Sequence, residues 1–583
     1  MGLIASDPLH YARGNECSDG DGSLAIDQDA ILGAEQGGSP TMRRSTSLIP
    51  IALLLLAPTL LADDHANVAM EAIRPGAMES HMAFLADDLL EGRDTGTRGH
   101  EIAALYVASQ FQILGLGPGG DEGTWFQQVP LRRAMPVRNS MMIGEQTLKS
   151  GIDFVIGADV VHLSASITAQ VVYAGYGITA PDFDYDDYAG IDPSGKIVVV
   201  IRNAPSRFPS TARAHYASTR NKVHNAASHG AVGIIWIQTP EQEQRWPFER
   251  VARFASQPAM SWVDVEGSLP DAPVSIQATV RLSPAGTATL FASAGRDAEE
   301  FYELANSNEP HSMDLDVEVT LQNESEHARV ESPNVIGIVE GSDPALKNEY
   351  VVFVAHLDHV GINEDVEGED KIHNGAYDNA SGVATLIEIG RAFRSMASAP
   401  KRSIALLAVT GEEKGLLGAD YFANSPTIAG DIVSAISIDM FLMLYPLHDV
   451  VAFGAEHSTL GGLVEESAHE MGIKVSPDFA PDEVLFVRTD HYPFVRKGVP
   501  ALFLVHGLDS GDPEVNGSEL MGKWMADHYH TPKDQMDQDI DFQAGADFAR
   551  LNFLLGWKIA NATERPSWNE GDFFGDLFGQ RRD

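Results

Sequence analysis

From Asn334 onward the chain alternates short apolar runs with helical stretches, and this alternation constrains the fold more than any other feature. The runs Val335-Val339, Tyr350-Ala355, Ser403-Val409, Ser434-Ile438 and Ala501-Val505 are near-continuously apolar, the pattern of strands covered on both faces. Helices predicted at Gly382–Met396 and Leu460–Met471 separate them. In the first, Leu386, Ile389 and Phe393 share a stripe, and Asn379 or Ser381 can cap the start. The fold class that follows is α/β: a mainly parallel, twisted sheet with helices on both faces. Residues 541–562 read as a closing helix, and residues 564–583 as a loosely held tail.

Ahead of this block, Val68 to Leu114 has a helical period through Met78, Met82 and Leu85, then Ile102, Leu105 and Phe111, with the polar LEGRDTGTRG as a connection. Residues 151–304 change character. Apolar runs at Val171-Tyr173, Ile197-Ile201 and Gly233-Ile237 lie between Gly, Pro and acidic turns, so this segment reads as an inserted, mostly β module with a helix at Thr219–Ser228. The α/β domain is therefore split into 63–150 and 305–563.

Residues 42–62 begin with Met42 and Arg43-Arg44, run apolar from Leu48 to Leu61, and end on the small Ala62. That is the layout of a secretory signal peptide, and it implies a secreted or periplasmic protein cleaved near Ala62. The apolar run is shorter than the roughly 20 residues of a membrane span, so stable membrane anchoring is not expected. Residues 1–41 read as an upstream extension, disordered or translated from a mis-assigned start. They hold the only cysteine, Cys17, which excludes intramolecular disulfides, a Cys-rich zinc module and a cysteine nucleophile in the exported chain. With 83 acidic against 40 basic residues the net charge is −43, a field that repels nucleic acid.

In an open α/β sheet, ligands bind beyond the carboxyl ends of the strands. Tyr350-Ala355 runs into His356-Leu357-Asp358, Ser403-Val409 into Thr410-Gly411-Glu412-Glu413, and Ala435-Ile438 into Asp439. HNGAYDNASG places Asp378 in a turn before a helix, and further on come Asp490-His491 and HYHTPKD, with His528, Tyr529 and His530. A lone His-x-Asp is more often structural than ligating, and paired glutamates usually mark a solvated helix start. Gathered on one sheet edge, these residues supply nitrogen and oxygen donors for two zinc-like ions sharing one carboxylate. Two other signals carry nothing. GIDPSGK at Gly190–Lys196 leads into a strand, where a phosphate loop needs Ser or Thr and a helix, and the Asp182, Asp184, Asp186 series has Asp187 where a calcium loop needs glycine.

The ordered set HLD, GAYDNASG, TGEEKGLLGA, SIDM, TDHYPF and YHTPKD resembles the co-catalytic zinc exopeptidases of the bacterial aminopeptidase and glutamate carboxypeptidase type, metallopeptidase family twenty-eight. The resemblance spans about residues 75–135 and 330–563. The inserted segment, with AGYGI, DDYAGIDPSGKIVVV and GAVGIIWI, resembles the protease-associated (PA) domain. The resemblance implies two Zn2+ ions: His356 and Asp439 on one, Glu413 and His530 on the other, and Asp378 bridging them. It further implies Glu412 as general base, Asp358 orienting His356 through its second ring nitrogen, and Tyr529 steadying the oxyanion. His359, His373, His491 and His528 lie near the same motifs. His530 is preferred to His528 because YHTPKD matches the family pattern, and His491 is expected behind the ligands or facing substrate.

The implied activity is removal of N-terminal residues from peptide substrates. A glutamate-type carboxypeptidase or a glutaminyl cyclase uses the same fold. The cyclase would not need all five metal positions, and a carboxypeptidase of acidic residues needs arginines, whereas Arg391, Arg394, Arg402, Arg488 and Arg496 form no cluster in sequence. A receptor-like module without metals should have lost ligands or the base, and none is missing. Oligomeric state is left open by the sequence.

Overall fold

The computed structural model describes residues 66–579 other than 367 and 484. The upstream extension and the signal-peptide segment lie outside the described residues.

Strand Glu349–His356 lies between Ser403–Val409 and Asp431–Ile438 and is parallel to both. Asp431–Ile438 pairs in parallel with Ala501–His506, and the antiparallel Asp449–Phe453 continues the sheet toward its edge. Successive side chains of Glu349–His356 divide between two cores, as the two-residue period of a strand requires. Val351 and Phe353 meet helices Ser381–Ser395 and Phe542–Asn561 on one face, and Val352 and Val354 pack with Phe422 and Phe494 on the other. This double covering is why every residue of Ser403–Val409 is buried and why the run reads as continuously apolar. Each fully buried large side chain of this kind contributes about 1.5–3 kcal/mol.

Strand Ser312–Val339 belongs to both halves of the sheet. Its last five residues pair with Ser403–Val409, while its earlier part pairs with Ser164–Ala174. From there the sheet continues in parallel through Ile197–Ile201, Gly233–Ile237 and Ala278–Leu282. Leu315, Val317, Val319 and Leu321 are buried at alternate positions, so its first half is covered on one face only. The inserted segment also holds more helix than the expected Thr219–Ser228, with Ser210–Ala217, Phe248–Phe254, Pro284–Ser293 and Ala298–Asn306 packed about its strands.

The expectation of a loose tail is corrected. Helix Phe573–Phe578 places Phe574 wholly inside, its ring 4.9 Å from Phe486 and 5.0 Å from His457. Asp572 caps that helix through Phe574 N and Gly575 N, each at 2.9 Å, and its other oxygen meets His457 Nδ1 at 2.5 Å. Among the described residues, no helix is long and apolar enough to cross a membrane.

Candidate functional site

Three neighbouring strands deliver His356, the Glu412-Glu413 pair and Asp439 at their carboxyl ends. Asp378 comes from the irregular turn Ala376–Ala380, just before helix Ser381–Ser395. Asn379 organises that helix start: its side chain accepts from Gly382 N at 2.9 Å and donates to the carbonyl of Ile438 at 2.9 Å. Gly375 precedes the turn at φ 60°, and a Cβ there would stand 2.1 Å from the carbonyl oxygen of Asp378. Met440 and His530 hold φ of 42° and 53°, a left-handed backbone that few side chains adopt without compulsion from their surroundings.

The five expected ligand positions converge. His356 Nε2 is 3.3 Å from Asp378 Oδ1 and 3.1 Å from Asp439 Oδ1. His530 Nε2 is 3.2 Å from Asp378 Oδ2 and 3.1 Å from Glu413 Oε2. The two oxygens of Asp378 thus face two separate donor groups. His359, outside the expected set, joins the second, with Nδ1 2.8 Å from Glu413 Oε1 and 3.8 Å from Asp378 Oδ2. The donor atoms of each group lie within 4.8 Å of one another. Among the described residues His530 Nε2 has no hydrogen-bond partner although it is aimed between two carboxylates, a disposition that suits a lone pair directed at a cation shared with them. Nitrogen and oxygen donors in this ratio suit zinc.

The electrostatics also call for cations. Asp358, Asp378 and Asp490 are buried, with Glu412, Glu413 and Asp439 close by at the cavity floor. Burial works against the charge of Asp378, yet His359, His356 and His530 bring its pKa down to about 2. Burial holds Glu412 well above the usual carboxylate range, with Glu413, Asp439 and Asp490 adding to the rise and His356 opposing it. Asp490, whose carboxylate has no hydrogen-bond partner among the described residues, is pushed up to about 8 by burial, against the pull of His356. A buried excess of carboxylates is costly until positive charge joins it.

Asp358 has a different contact from the one expected. The second ring nitrogen of His356 lies 3.1 Å from the main-chain carbonyl of Asp358, and not against its carboxylate. The carboxylate turns instead to the main-chain N–H groups of Glu412, at 3.1 Å, and Glu413, at 3.4 Å, and to the Thr95 hydroxyl at 3.0 Å. Short connections after both strands leave these amides free, and the nearest buried acceptor takes them. Tyr529 stacks on His530 with ring centres 3.9 Å apart and lines the same cavity, and burial holds its phenol well above the ordinary value. His491 faces Phe486 and Phe503 in the core, and His528 stacks on Trp524, so neither enters the donor groups.

Two further contributors lie outside the expected set of site residues. Asp534, the last residue of YHTPKD, accepts from Tyr377 N at 3.0 Å and Asp378 N at 3.1 Å. Arg93, in a segment that reads as a plain connection, is wholly buried and donates to the carbonyls of Leu357 at 3.0 Å, Gly375 at 3.1 Å, Asn374 and Leu85. It thereby ties together the loops bearing His356 and Asp378. A cavity of about 530 Å³ opens above the donors. Its walls include Leu442, Phe479, Leu485 and Phe503, and its rim includes Arg245, Trp246 and Arg250 from the inserted segment together with Arg488.

Residues 334–555 match the family described as Peptidase family M28, and residues 167–268 match the PA domain. A probable zinc metalloprotease of Leptosphaeria maculans is 26% identical over 273 residues, which is 40% of this chain and 58% of that protein. Aminopeptidase YwaD of Bacillus subtilis is 27% identical over 210 residues, 35% of this chain and 40% of its own length. The chain thus spans less than two thirds of either relative. Among solved structures, an aminopeptidase from Aneurinibacillus sp. strain AM-1 has the same fold, with a TM-score of 0.51 at 19% identity over 86% of this chain and 97% of that one.

Proposed function

We propose, from the peptidase family M28 domain and the PA domain that this chain carries, that it hydrolyses peptides as a two-zinc aminopeptidase. The observation that supports this reading most directly is Asp378, with one oxygen turned to His356 and Asp439 and the other to Glu413 and His530. His356, Asp378 and Asp439 would hold one ion, and Asp378, Glu413 and His530 the other. Bound there, such ions supply Lewis acidity and bring the pKa of water toward neutrality.

The chain's own residues do the rest. Glu412 takes the proton of the attacking water on its carboxylate and returns it to the leaving amine nitrogen. The Asp358 carboxylate, by accepting from Glu412 N and Glu413 N, fixes the turn that aims both glutamates. The Tyr529 hydroxyl donates to the carbonyl oxygen as negative charge develops on it. The apolar wall of Leu442, Phe479 and Leu485 receives an apolar side chain from the peptide. The leader-like segment at 42–62 supports a periplasmic or extracellular site of action, with peptides as the partners and neither nucleic acid nor a membrane anchor involved.

The test joins metal content to hydrolysis of three substrate classes: aminoacyl derivatives, N-blocked peptides and peptides ending in glutamate. Two equivalents of zinc and turnover of free-amine substrates are expected. Cleavage of N-blocked peptides alone would overturn the aminopeptidase reading in favour of a carboxypeptidase.

A further inference from the structure

In a chain of net charge −43, cations collect on one rim of the cavity. Arg245 and Arg250 belong to helices Pro240–Arg245 and Phe248–Phe254 of the inserted segment, and Arg488 follows the turn Leu485–Val487. Arg202 lies in an adjoining depression with Trp246 and Arg488, and its pKa is lowered by burial and then by the charge of Arg488. Like charges held close need an anion to offset them. Glu483 is 3.8 Å from Arg488, Glu241 is 3.2 Å from Arg245, and such exposed pairs are weak.

Arg250 stands apart from these. Among the described residues it has no ion pair, and its guanidinium lies over two rings, Trp246 at 4.8 Å and Tyr529 at 5.9 Å. A guanidinium held over ring faces keeps its N–H donors for other partners, and a carboxylate can meet them side-on. The second ring, Tyr529, stacks on His530 at 3.9 Å, so Arg250 is two ring contacts from the candidate metal ligands. An extended peptide rises about 3.5 Å per residue and covers that span in about two or three residues.

We propose that Arg250, assisted by Arg488, binds a carboxylate of the peptide substrate about two or three residues from the scissile bond, so that the inserted segment selects short or acidic peptides. This rests on the hydrolytic reading above. The carboxylate is either the free C-terminus of a short peptide or an acidic side chain. The field of the whole chain repels anionic peptides, so a preference for them has to arise locally.

Matched substrates separate the two sources. Leu-Gly-Gly is compared with its C-terminal amide, and Leu-Gly-Glu-amide with Leu-Gly-Gln-amide, in the zinc-loaded enzyme and in its Arg250→Gln and Arg250→Lys variants. The carboxylate member of at least one pair is expected to have a kcat/KM about 10- to 100-fold higher, the range of a hydrogen bond to a charged group. Arg250→Gln brings that ratio close to one, and Arg250→Lys keeps part of it. Whichever pair responds names the source. Leucine p-nitroanilide hydrolysis and calorimetric binding of triglycine and triglycine amide run alongside. If the anilide is not cleaved, the aminopeptidase reading fails, and the triglycine pair still tests Arg250 by binding. If the anilide is cleaved while the acid and amide peptides react and bind alike, the assignment of Arg250 is overturned.

Discussion

The main-chain N–H of Asp378 donates to the carboxylate of Asp534 at 3.1 Å, across 156 residues of chain. The second oxygen of Asp534 takes the neighbouring N–H of Tyr377 at 3.0 Å, so one side chain fixes the turn that presents the Asp378 carboxylate. Asp534→Asn keeps one acceptor and turns an NH2 group toward the other N–H. Zinc affinity is expected to fall about 10- to 100-fold, the usual cost of losing a supporting partner of a metal ligand. Competition with a chromogenic chelator measures this, and affinity equal to wild type would separate Asp534 from the centre.

Glu412→Gln removes the proton acceptor and keeps the shape. The variant should retain its full zinc content and lose about 10²- to 10⁴-fold in kcat, the span of general base catalysis. Elemental analysis and steady-state kinetics on one preparation provide both readouts. Turnover like that of wild type would take Glu412 out of the mechanism.

Removing the metals should cost stability as well as activity. The buried carboxylates Asp378, Asp358 and Asp490 then lose their counter-charges, and a ligand held only by the native state stabilises it by about 4 kcal/mol when present at 1,000 times its Kd. Dialysis against a chelator should lower the melting temperature by several degrees and abolish hydrolysis, and added zinc should restore both. An unchanged melting curve would mean that the centre is not loaded in the native protein.

Arg93→Met keeps the bulk and removes the donors that meet the carbonyls of Leu85, Leu357, Asn374 and Gly375. Buried carbonyls left without partners cost about 1–3 kcal/mol each. A loss of at least about 3 kcal/mol is expected in urea unfolding, together with weaker zinc binding, because two of those carbonyls border the loops of His356 and Asp378.

The docked C-terminal helix should respond to acid. Burial opposes the charge of Asp572, but His457 and the N–H groups of Gly575 and Phe574 hold its pKa below the ordinary value. Its folded form is therefore the better acid, and the stabilisation is present above the unfolded pKa of about 3.9 and lost as pH falls through the folded one. Corrected for the intrinsic rate at each pH, hydrogen exchange of the 573–578 amides should be slow at pH 7 and rise steeply below about pH 4. Asp572→Ala should show fast exchange at both.

The strand ends were legible because double-sided burial leaves unbroken apolar runs, and the polar residues that close each run, His356, Glu412-Glu413 and Asp439, stand out against them. Asp378 and His530 became visible through the ordered motifs around them. Asp534 and Arg93 act on main-chain groups, which exist at every position and leave no compositional trace. Arg250 meets Tyr529 only after the sheet has folded the inserted segment toward the cavity, so a search for clustered arginines within the peptidase half could not find it. The burial of Phe574 depended on Phe486 and His457, both far upstream, and in isolation the short Phe573–Phe578 run looks like a frayed end.

Strand Ser312–Val339 has a last consequence. Its last five residues are hydrogen-bonded to the peptidase half and residues 312–324 to the inserted half, while the stretch between them pairs with Phe126–Ile143 across a register shift at Glu324/Ser325, so a two-stranded ribbon joins the halves. If Arg250 receives a substrate carboxylate as proposed, such a ribbon would work as a caliper, grading peptides by length against the gap between Arg250 and the donor groups.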